Sequence, residues 1–97
     1  MKVKDYVGMV TAAEQTRVNL AIFDPGAGYR RQQELYSRMK EVNRVFVQQF
    51  GRGSQPPMEA ELNEASIRAA TPVLEFIISE ELLDTEGIKS CRTFLSY

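Results

Sequence analysis

The sequence predicts an all-α fold: a small helical bundle built on an N-terminal antiparallel helix hairpin, with two or three further helices in the C-terminal half. Three observations carry that expectation. Apolar residues recur at steps of three and four along most of the chain, and proline–glycine clusters separate the periodic stretches. The one run that alternates like a strand has no second run to pair with. At 97 residues, with 43% apolar and 26% charged side chains, the chain has the size and composition of one globular domain spanning residues 1–97.

The first element is expected over Lys2 to Ile22, where Val3, Tyr6, Val7, Val10 and Ala13 keep helical spacing. Between Thr16 and Phe23 the pattern is ambiguous, because Val18, Leu20 and Ile22 alternate. Helix is the better assignment there, since an isolated strand is not viable. Asp24-Pro25-Gly26-Ala27-Gly28 then reads as a loop. From Tyr29 to Phe50 the helical signal is strongest. Leu35, Met39, Val42, Phe46 and Phe50 form one stripe, Glu34 and Arg38 stand four apart for an ion pair, and Gly51 follows as a terminator.

Gly51 to Pro57 forms a second loop whose prolines lead into a third helix, expected from Pro57 to about Ala70. Glu59 and Glu61 would sit in its first turn, and Met58, Leu62, Ala65 and Ala69 would make its stripe. Thr71-Pro72 marks a break, and a new helix runs from Val73 to about Leu83. Asp84 or Thr85 can cap a last short helix carrying Ile88, Cys91, Phe94 and Leu95.

Composition narrows the function classes. There is no histidine and one cysteine, Cys91, which removes the commonest acid–base residue and metal ligand. Cys91 shares a stripe with Ile88 and Leu95, the setting of an inert buried thiol. The carboxylates cluster as helix surfaces without the spacing of a calcium loop. No enzyme activity, cofactor or metal is expected. The opening residues lack the apolar core of a signal peptide and no apolar run approaches ~20 residues, so no membrane association and a cytoplasmic location are expected.

Three residue sets are candidate contacts. Val73, Leu74, Phe76, Ile77, Ile78, Leu82 and Leu83 cover more than one helix face, a surplus that suits either a central helix or an interface. As an interface they predict a homo-oligomer, with a two-fold dimer favoured. Arg30, Arg31, Arg38 and Arg44 line the second helix, where free N–H groups at its mouth and guanidinium groups would receive phosphate. The glycine spacing there matches neither a P-loop nor a dinucleotide fingerprint, and a pI near 5.5 argues against a dedicated nucleic-acid binder. Glu80, Glu81, Asp84 and Glu86 could face a basic partner, and they would repel DNA from any helix-turn-helix formed by the last two helices.

The charge is also divided. Residues 1–52 carry nine basic and five acidic side chains, a balance of +4; residues 53–97 carry three and eight, a balance of −5. Such halves attract, within one chain or head-to-tail between copies. The expectation is therefore a non-catalytic protein–protein interaction module, an adaptor or inhibitor of the phage type, which occludes or bridges a macromolecular partner and self-associates. The alternative is a nucleic-acid-associated regulator using the basic face of the second helix.

Overall fold

A computed structural model describes residues 1–96. Four helices follow in order: α1 (Val3–Phe23), α2 (Pro25–Phe50), α3 (Glu64–Glu80) and α4 (Thr85–Leu95). Helices α1 and α2 form the antiparallel hairpin, α3 packs against both and against α4, and α4 also touches α1. Among the described residues there is no strand, only an isolated antiparallel bridge between Lys2 and Glu61.

The ambiguous stretch after Thr16 is helical. Its core stripe runs through Met9, Ala13, Thr16 and Leu20, all buried, whereas Ile22 is exposed. Thr16 can be buried because its hydroxyl donates to the Ala12 carbonyl at 2.9 Å. The expected loop before Tyr29 shrinks to a single residue. Asp24 ends α1 by donating its N–H to the Leu20 carbonyl (3.0 Å), and it begins α2 as its carboxylate accepts the Ala27 N–H (3.2 Å). Pro25 then opens α2 at the position where a missing N–H costs nothing.

Helix α3 corrects the sequence reading twice. It starts at Glu64, not at Pro57, because residues 58–62 run as a strap across the start of α1. The Ala60 and Met58 carbonyls accept the N–H groups of Val3 (2.9 Å) and Lys4 (3.0 Å), and Leu62 N–H donates to the Met1 carbonyl (2.9 Å). Those two amides of α1 would otherwise lack helical partners. Asn63 then caps α3, its side chain accepting the Ser66 N–H at 2.9 Å. Gln49 of α2 fixes that corner by accepting from Asn63 N–H (2.8 Å) and donating to the Glu61 carbonyl (2.9 Å).

The second correction is Pro72, which sits inside α3 and does not end it. An interior proline costs about 3 kcal/mol, whereas burying a large apolar side chain yields about 1.5–3 kcal/mol. Val73, Leu74, Phe76 and Ile77 follow Pro72 and are all buried, so packing outweighs the lost hydrogen bond. Helix α3 stops at Glu81, whose backbone is left-handed (φ 55°) and whose N–H returns to the Ile78 carbonyl. Asp84 caps α4 by accepting the Gly87 N–H at 2.8 Å.

Candidate functional site

Val73, Leu74 and Ile77 are 0% exposed and Phe76 is 4% exposed, enclosed by Met9, Leu20, Leu35, Val42 and Cys91 of the other helices. Ile78, Leu82 and Leu83 are half-buried and pack against the same core. Four of the seven apolar residues are therefore spent inside the chain. Val73, Leu74, Phe76 and Ile77 thus fill the interior as part of the central helix α3, while Ile78, Leu82 and Leu83 keep part of their surface accessible.

The charged sets are tied together by the fold. Arg31 of α2 pairs with Glu80 of α3. Lys2 and Lys4 both reach Glu59 on the strap, at 2.8 and 3.1 Å. The basic and acidic halves thus meet inside one molecule. Arg38 donates to the Pro72 carbonyl (2.9 Å), contacts Glu34 (3.3 Å) and lies 5.1 Å from the Phe76 ring centre. Arg44 lies alongside Glu41 with Nε at 3.0 Å. That leaves Arg30 as the member of the basic set without an ion pair among the described residues. Of the acidic set, Glu80 is paired, Glu81 ends α3, Asp84 caps α4, and Glu86 is exposed in the first turn of α4.

The groups whose titration is shifted are either buried or paired. Cys91 is 1% exposed, and burial pushes its thiol above the ordinary range, away from the thiolate that would react. Tyr6 is stacked on Phe46 with ring centres 4.2 Å apart, and burial raises its hydroxyl pKa as well. Glu41 and Glu14 are held below the usual carboxylate range by hydrogen bonds from Arg44 and Arg17. Among the described residues no three acidic or cysteine side chains converge as metal ligands would. Among the described residues no helix is long and apolar enough to cross a membrane.

The exposed surface is more informative. Ile22 and Phe23 end α1, Tyr29 and Tyr36 lie in the first part of α2, and they are 63%, 71%, 68% and 59% exposed. The sequence pattern set Ile22 in an alternating run with Val18 and Leu20 and gave no contact role to Phe23, Tyr29 or Tyr36. A signal was present: α1 carries apolar residues all round its circumference, more than one packed stripe requires. The outer side of the hairpin continues this surface as a shallow hollow of about 160 Å³ lined by Val10, Tyr36 and Met39, with Glu14 and Arg17 beside them. A larger hollow lies between α2 and α3. Compared with known protein families, curated proteins and solved structures, the chain matches none.

Proposed function

We propose that the chain is a non-catalytic protein-interaction module that engages its partner through the turn end and outer side of the α1–α2 hairpin. One observation carries the reading: Ile22, Phe23, Tyr29 and Tyr36 are each more than half exposed, while the interior is already filled by other residues. Exposed aromatic side chains bring large contact area at small entropic cost and are enriched where proteins bind one another. The hairpin is a rigid platform for them, because its single-residue joint leaves no loop to flex. Self-association is assigned to the same end, where these four side chains are exposed.

The test is photo-crosslinking in native extract from a probe placed at Phe23, with and without the changes Tyr29→Ser and Tyr36→Ser. Those surface changes are expected to leave stability within about 0.5 kcal/mol of the parent. The expected result is a discrete crosslinked protein, or a crosslinked second copy, that disappears in the double variant. The same crosslinks in parent and variant would refute the assignment of this surface.

A further inference from the structure

The outward faces of α2 and α3 do not close on one another. An open groove of about 580 Å³ runs between them. Its apolar lining is Val45, Ala65, Ala69 and Pro72, and its charged lining is Arg38, Arg44, Arg68 and Glu41. On α3 the residues at 65, 69 and 72 form a stripe next to the core stripe at 66, 70, 73 and 77, so their small size keeps a second face of that helix shallow.

Three features give the groove its sign. Arg38 is held in place by the Pro72 carbonyl and the Phe76 ring. Glu41 is neutralised by Arg44 alongside it. Arg68 is exposed and has no ion pair among the described residues. The lining holds three cations against one carboxylate, Glu41, on a chain whose net charge is −1. The local field attracts an anionic partner. Nucleic acid is the less fitting occupant, because no aromatic ring lines the groove for a base to stack on.

We propose that this groove docks an acidic amphipathic helix of another protein. The helix would lay its apolar stripe on Val45, Ala65, Ala69 and Pro72 and turn carboxylates toward Arg38, Arg44 and Arg68. At 1.5 Å per residue, the lining stretches of α3 and α2 are about 10 and 16 Å long, which is two to three turns of such a helix. Tyr36 and Ser37 are neighbours on α2, so this groove and the aromatic surface lie about 100° apart around one helix. The two faces can be occupied together, which makes the module a bridge.

The experiment selects binders from a displayed library of random peptides, each of about 16 residues, and measures the selected peptides by fluorescence anisotropy. The expected winners carry apolar residues at i, i+3, i+4 and i+7 flanked by Asp or Glu. They bind roughly tenfold or more weakly to Arg68→Glu and to Arg44→Glu/Arg68→Glu, and they weaken with salt. Amide shifts should move at Ala65 and Ala69, and Tyr29→Ser/Tyr36→Ser should bind as the parent does. Winners without acidic residues, affinities indifferent to Arg68→Glu, or shifts confined to the hairpin end would overturn the proposal. So would displacement of the peptides by a single-stranded oligonucleotide, which would reassign the groove to nucleic acid. A concentration-dependent mass abolished by Arg68→Glu would overturn it in favour of a second copy.

Discussion

Gly28 shows how tightly one residue can be constrained. A Cβ added there would stand 2.5 Å from the Leu20 carbonyl oxygen, a backbone atom that cannot swing aside. Gly26, two residues earlier in the same helix, has nothing within 4 Å of such an atom. Alanine is favoured over glycine in a helix by about 0.8–1 kcal/mol, so the two sites should respond oppositely. Gly26→Ala is expected to stabilise by up to about 1 kcal/mol, and Gly28→Ala to destabilise by about 1–3 kcal/mol as the hairpin is forced apart. Urea midpoints check both; a gain at Gly28 would mean that the helices are not in contact there. Cys91 gives a second prediction at this scale. Buried and held as a thiol, it should react with a disulfide reagent only as fast as the chain unfolds, not at the rate of a free thiol.

Among the elements, α3 carries the strongest conflict between local preference and packing. Pro72 has no N–H for the Arg68 carbonyl, yet the helix continues through it. Restoring that bond with Pro72→Ala is expected to raise stability by about 1–2 kcal/mol, less than the full 3 because proline also restricts the unfolded chain. Chemical denaturation measures it, and a loss of stability would show that the proline shapes α3 for its neighbours. The same helix marks what could be read from the residues alone. The helical class, the hairpin and the Tyr29–Phe50 stripe were legible, because long apolar periodicity is a direct image of packing. The strap at residues 58–62 was not, since Met58 and Leu62 stand four apart by coincidence and their carbonyl and amide partners are Lys4 and Met1, far away in the sequence. Nor was the core stripe of α1, which passes through a polar residue, Thr16, while the apolar Ile22 lies outside. The α2–α3 groove was illegible for a similar reason: its residues come from two separate stretches, and the arginines of α2 gave no hint that Arg68 would stand near them.

At the scale of the whole molecule, charge stitches the two halves together at several exposed points. Glu59 is held below the usual carboxylate range first by its hydrogen bonds from Lys2 and Lys4, as Glu14 is by Arg17 and Glu41 by Arg44. Because these folded-state values lie below 4.5, the unfolded chain binds more protons in that region. Their contribution is complete above the unfolded value and is lost as pH falls from 4.5 through the depressed native values. Lys2 behaves conversely: raised above 10.5, chiefly by its hydrogen bond to Glu59, it contributes below that value and is lost as pH rises through the higher native one. Exposure keeps each effect small. Glu59→Gln should flatten the acid decline in denaturation midpoint at low salt and change little at high salt; an unchanged acid slope at low salt would mean that the pairs do not persist in solution.

The strap has one more consequence. Leu62 is hydrogen-bonded to the Met1 carbonyl just ahead of α1, and Asn63, the next residue, caps α3. No slack separates the two, so the strap acts as a key that sets the rotational phase of the central helix. A slip of one residue in that seam would turn α3 by about 100° about its axis, exchanging the stripe of Ala70, Val73 and Ile77 for that of Ala69, Pro72 and Phe76 or of Thr71, Leu74 and Ile78. A few irregular residues with no apolar stripe of their own thereby decide which side chains of the central helix fill the interior.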